Sequence, residues 1–113
     1  MRKLSYDSDN DIFFVHSGFK ANEEFASNGV VGDIVLDISS KGRVCGVEIM
    51  NASDYLRVFG VTKDILMNLK DVDFSAERKD NSVDIELVFC TKEGQKTAKI
   101  AIMLEELPLA VLE

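Results

Sequence analysis

The stretch GDIVLDISSKGRVCGVEI, residues 32–49, decides how the chain is read. In its first half Ile34, Leu36 and Ile38 alternate with Asp33, Val35 and Asp37, the period of two of a half-buried strand. Ser39-Ser40-Lys41-Gly42 then reverses the chain, and Gly42 suits the left-handed position of a bulged hairpin loop. On the returning strand, period two places Cys45, Val47 and Ile49 on one face and Val44, Gly46 and Glu48 on the other. A hairpin with one apolar face must lay it on something, so the flanking segments are read for what they add to a core.

Upstream lies YDSDNDIFFVH, residues 6–16. Residues 4–16 read as a strand or strand pair broken near the aspartates. Ile12-Phe13-Phe14-Val15 is apolar on both faces, as in a central strand covered on each side by a helix or another subunit. Asn28-Gly29 and Gly32 punctuate the chain before the hairpin. Downstream, NASDYLRVFGVTKDILMNLK (residues 51–70) is the helical material, with Ser53 and Thr62 as caps, Asp54 and Asp64 early in each piece and Gly60 as a stop. A meander follows. Val72, Phe74 and Ala76 lead to a turn at Lys79-Asp80-Asn81, Val83, Ile85, Leu87 and Phe89 to one at Lys92-Glu93-Gly94, and Ala98, Ile100, Ile102 and Leu104 return.

These readings give a single α+β domain: a mostly antiparallel sheet of about six strands with one or two short helices, at about 52–70, on one face. Its parts are strands and a hairpin over 4–53, helix over 54–70, a three-strand meander over 71–105 and an apolar tail over 106–113. The 113 residues suffice for one core. A formal net charge of -7 repels phosphate backbones, which argues against nucleic acid as a partner. No apolar run reaches the roughly 18 residues needed to span a bilayer, and no apolar stretch follows the basic residues at the start. Cys45 and Cys90 are isolated thiols among apolar neighbours, expected to be free. A cytoplasmic protein is expected.

Two of these stretches also carry a resemblance. YDSDNDIFFV and VLDISSKGRVCGVEIMNAS are similar to the Tyr-Asp-x-x-x-Asp segment and the Gly-Arg, Gly-(Val/Ile)-Glu-Ile, Ala-Ser hairpin of a family of small, mainly prokaryotic proteins, the domain of unknown function DUF2283. The likeness runs over roughly residues 4–53, and the meander after residue 70 extends beyond the usual short members. It implies a small α+β domain without an assigned activity or catalytic residues. Some relatives look like partners encoded beside toxin-like proteins, which implies an antitoxin-like role.

The chemistry offered by the residues is sparse. Asp7, Asp9 and Asp11 alternate like the first half of a calcium loop, but Ile12 replaces its glycine and Gly18 its bidentate glutamate. A looser cation site would recruit Asp33 or Asp37, or else Glu23 or Glu24. The plainer reading is a turn in which Asp7 and Asp11 bond the turn's own amides and Asp9 is solvated. His16, the one histidine, is expected at a strand end with its ring at the sheet margin. Ser17 beside it is no catalytic pair, because adjacent strand residues point to opposite faces. With no nucleophile elbow, phosphate loop or dinucleotide fingerprint, neither catalytic nor cofactor-binding residues are assigned, and no enzyme is expected.

The function expected is a non-enzymatic, homo-oligomeric protein-interaction module, a homodimer in the first place and otherwise a partner of another protein, with Glu48, Phe13 and Val15 as contact residues. The alternative is a weak calcium-binding protein using Asp7, Asp9 and Asp11. No membrane or nucleic-acid partner and no resident cofactor are expected.

Overall fold

The computed structural model describes residues 3–103 and Glu105. The apolar tail expected at 106–113 lies outside the described residues. Five strands come first: β1 (Lys3–Asp7), β2 (Ile12–His16), β3 (Phe25–Val31), β4 (Ile34–Ser39) and β5 (Val44–Met50). They form one antiparallel sheet in the order β1-β2-β5-β4-β3, so the first hairpin is joined to the rest by β2 against β5. The chain then passes through α1 (Ala52–Tyr55), a 3-10 turn (Leu56–Phe59) and α2 (Lys63–Met67). A second antiparallel sheet, β6 (Asp71–Arg78), β7 (Ser82–Thr91) and β8 (Gly94–Met103), is a plain meander.

The class is α+β, as the periodicity predicts. The strands, however, divide between two sheets. The two α-helices have four and five residues, too short to cover the inward row that eight strands present. The sheets cover each other instead. Phe13, Val15, Leu36, Val47 and Ile49 from the first share one core with Val72, Ile85, Leu87 and Phe89 from the second. The rings of Phe13 and Phe89 meet with centroids 5.4 Å apart and planes tilted by 51°. Leu56, Val61 and Leu66 from the helical crossover join the same core. Among the described residues no helix is long and apolar enough to cross a membrane.

Two local departures from simple periodicity matter. β3 is a strand although Asn28, Gly29 and Gly32 read as punctuation; it is an edge strand, largely exposed, whose pairing with β4 slips between Phe25 and Ser27. In the hairpin of β4 and β5, Asp37 pairs with Gly46 but Ile38 pairs with Val44, leaving Cys45 as a bulge. The extra residue turns Val44 toward the core, where an unbroken period of two would have put Cys45. Gly42 has φ 77°, the left-handed conformation expected of it. Cys45 and Cys90 are free thiols.

Candidate functional site

The acidic turn resolves into three different roles. Asp7 accepts from the amides of Asp9 (3.0 Å) and Asn10 (3.1 Å) and from the Asn10 side chain (2.8 Å), which holds its carboxyl below the usual range. Asp9 is exposed. Asp11, at φ 56°, turns inward. It accepts from the Tyr6 hydroxyl at 2.6 Å, the Ser53 amide at 3.0 Å and the Ser53 hydroxyl at 2.7 Å. Burial pushes the Asp11 carboxyl up, but the bonds from Tyr6 and Ser53 outweigh it and leave it below the carboxylate range. Burial and the bond to Asp11 together push the Tyr6 phenol up to about 12.

This arrangement corrects the expected cap of α1. Asn51 occupies the cap position at φ 52° and makes no side-chain cap bond. The carboxylate that satisfies the Ser53 amide comes from Asp11 in the first hairpin, while the Asp11 carbonyl accepts from Ala52 at 2.9 Å. Thr62 does cap α2, accepting from Ile65 at 3.3 Å, and Gly60 ends the preceding turn at φ 80°.

A second polar cluster fastens the loop at 17–24 to the β4–β5 turn. Arg43 donates through Nε to Glu23 Oε2 at 3.0 Å and through Nη2 to Glu23 Oε1 at 2.5 Å. It also reaches the Ser17 hydroxyl at 3.1 Å and the Gly18 carbonyl at 2.8 Å. Glu23 further accepts from the Lys20 amide and the buried Ser39 hydroxyl. Only 2% of its side chain is exposed, covered by these partners rather than sunk among apolar groups. The fork of Arg43, followed by those other donors, holds the Glu23 carboxyl far below its usual range.

Asp7 and Asp9 follow the plainer reading of a turn, Asp11 turns instead to Ser53, and the cation site given as the alternative is not assembled among the described residues. Asp7 and Asp11 spend their oxygens on different donors, and Glu23, a proposed recruit, is spent on Arg43. Asp33 accepts from Asn51 at 3.3 Å, and Asp37, about 13 Å further along β4 by strand rise, lies 4.0 Å from His16. Among the described residues no group of three or more His, Cys, Asp or Glu is placed to hold a metal ion.

The contact residues also need correction. Phe13 and Val15 are fully buried in the core and cannot touch a partner. Their neighbours Ile12 and Phe14 point the other way, onto the outer face of the five-stranded sheet. The register arranges that face in three rows. Asp7, Ile12 and Met50 form one, with Asp33 beside Met50. Ser5, Phe14, Glu48, Val35 and Val30 form the middle row. Lys3, His16, Gly46, Asp37 and Asn28 form the third.

Ile12, Phe14, Val35 and Met50 are all half-buried, and none packs on the core. Val30 is 56% exposed. Glu48, the contact residue that the structure does place outward, stands at the centre between Phe14 and Val35. It has no hydrogen bond or ion pair among the described residues. At the margin His16 lies at the end of β2, as expected, with its ring edge-on to Phe19 at 5.0 Å. Its Nδ1 accepts from the Gly18 amide at 2.9 Å. Gly46 is what lets the His16 ring lie there, because a Cβ on it would come within 2.6 Å of His16 Cδ2.

Residues 3–53 match the model of a family described as "Protein of unknown function (DUF2283)". The likeness read from the two motifs therefore stands. The matched span takes in all five strands of the first sheet and the first residues of α1. It leaves the three-stranded sheet outside. Several of the motif residues now have structural roles: Tyr6 and Ser53 both donate to Asp11, Gly42 makes the turn, Arg43 holds Glu23 and Gly46 seats His16. Among the described residues Glu48 has no such role. No curated protein and no solved structure matches the chain.

Sequence reasoning missed Ile12, Phe14, Val35 and Met50 as surface residues. The signal was present in two places. IFFV is apolar on both faces, and Val35 stands in an otherwise acidic outward row of its strand.

Proposed function

We propose that the chain is a non-catalytic interaction domain that receives another protein chain on the outer face of its five-stranded sheet. One observation carries the reading: Ile12, Phe14, Val35 and Met50 lie together at the middle of a sheet face and none of them contributes to the core. Grouped apolar side chains on a surface gain free energy when a partner covers them. The perturbed acids support a non-catalytic role, because Asp11 and Glu23 are engaged by internal donors that hold structure together.

The test uses a neutral polarity-sensitive dye on full-length protein. Blue-shifted, saturable emission is expected, lost in Phe14→Ser and kept in Val88→Ser, which alters the outer side of the other sheet. Equal dye binding by both variants would remove the reading.

A further inference from the structure

We infer that the occupant of this face is a cationic, apolar-sided segment of a different protein, with a Lys or Arg side chain held by Glu48 between Phe14 and Val35. The inference rests on the docking face proposed above and adds the chemistry of what docks. Glu48 sits at the middle of the central strand of the five, and its direct cross-strand neighbours are apolar. A partner that covers Phe14 and Val35 must also cover the Glu48 carboxylate. An unpaired carboxylate carried out of water opposes docking unless the partner brings a cation or several donors to it. Among the described residues the face has little of its own to offer: Lys3 lies in another row at the β1 edge, across from His16. Asp7, Asp33, Asp37 and Glu48 give the face an acidic balance, in keeping with the chain's net charge of -7.

The same charges argue against a second copy. A two-fold contact centred on the face sets Glu48 against Glu48 and brings the acidic margins together, a like-charge arrangement that costs free energy at every approach. A basic segment meets the opposite situation. Its apolar side lies over Ile12, Phe14, Val35 and Met50, while its cation finds Glu48 in a setting of lowered dielectric.

The experiment titrates isotopically labelled full-length protein with a Leu/Lys amphipathic peptide, and separately with a Leu/Glu peptide of the same length. Amide shifts locate the binding. The Leu/Lys peptide is expected to move β2, β4 and β5 saturably, and the Leu/Glu peptide to move nothing. Glu48→Gln is expected to weaken the Leu/Lys peptide by about tenfold, the scale of one lost charge-assisted contact. Three results overturn the inference: Glu48→Gln binding like the parent, equal binding of both peptides, or shifts spread over the acidic outer side of β6–β8. If the same β2, β4 and β5 amides instead shift with protein concentration alone, and Phe14→Ser abolishes this, a second copy is the occupant. The cationic-segment inference then fails while the docking face stands. If neither peptide nor protein concentration moves that face, both readings fail.

Discussion

The outer faces of the two sheets are opposites. On the three-stranded sheet the outward row of β6 is Asp71, Asp73, Ser75 and Glu77, opposed on β7 by Cys90, Val88, Glu86 and Asp84. Glu77 and Asp84 even face each other directly, and Lys99 stands 4.0 Å from Glu86. That is a face for water. The five-stranded sheet puts Ile12, Phe14, Val35 and Met50 in the corresponding positions, with one carboxylate among them that has no partner among the described residues. Both sheets bury an inner face of the same kind, so core formation alone does not account for the difference. The outer face of the first sheet holds more apolar side chain than the fold uses.

The two sheets are also held differently. The first is fastened by side-chain bonds between segments far apart in sequence, Asp11 to Ser53 and Glu23 to Arg43. In the second, Ser82 bonds Asp84 and Thr91 bonds Gly94, close neighbours along the chain, and Lys99 reaches Glu86 on the adjacent strand.

The sharpest test of this contrast sets adjacent residues against each other. Phe13→Ala, which empties a core site against Phe89, is expected to cost about 3–5 kcal/mol, and Phe14→Ala less than about 1 kcal/mol, by urea denaturation. Comparable costs would mean that the outer face is not outer at all. Gly46→Ala comes next. Its Cβ needs the space of the His16 ring, so a loss of about 1–3 kcal/mol is expected, with altered ring shifts at Phe19.

Asp11→Ala should cost about 1–2 kcal/mol, since it leaves the Ser53 amide and the Tyr6 hydroxyl unpartnered, while Asp9→Ala should be silent. If the two variants melt alike, the long-range fastening of the first sheet is not energetic. Acid and alkali probe the same fastenings. The folded Glu23 carboxyl lies below its unfolded value, so its contribution is complete above the ordinary carboxylate range and is lost as pH falls below it. Glu23→Gln should flatten that acid limb. Tyr6 runs the other way: its folded value is raised, so its contribution holds below pH 10 and is lost as pH rises toward about 12. Tyr6→Phe should remove that alkaline loss in melting curves.

The smallest expected effect is that of calcium. With Asp7 and Asp11 engaged by separate donors, saturating calcium should leave the melting temperature within the change given by matched ionic strength. A specific rise would show that the turn rearranges to take a cation.

How much of this was legible beforehand follows from the kind of signal. The second sheet was readable nearly strand by strand, because Val83, Ile85, Leu87 and Phe89 face the core without interruption and the turns carry turn residues. β3 was not, because an exposed edge strand needs no apolar alternation, and its Asn28 and Gly29 look like a turn. The bulge at Cys45 was equally hidden: one inserted residue reverses the faces of what precedes it, and nothing local announces it. At the candidate site Glu48 was legible as a residue without a structural duty. Phe13 and Phe14 could not be told apart, since an apolar run does not say which of its faces will be covered.

By itself, then, the sequence determined the α+β class, most strands, the turn at Gly42 and the second helix cap at Thr62, all fixed by forces acting between near neighbours. Tertiary structure alone decided that the strands form two sheets, that Asp11 serves α1 from across the fold, that Glu23 takes Arg43 and that Phe14 faces outward. The reason is physical. Periodicity and backbone preference are properties of a segment, whereas burial and the partner of a polar group depend on which segments meet.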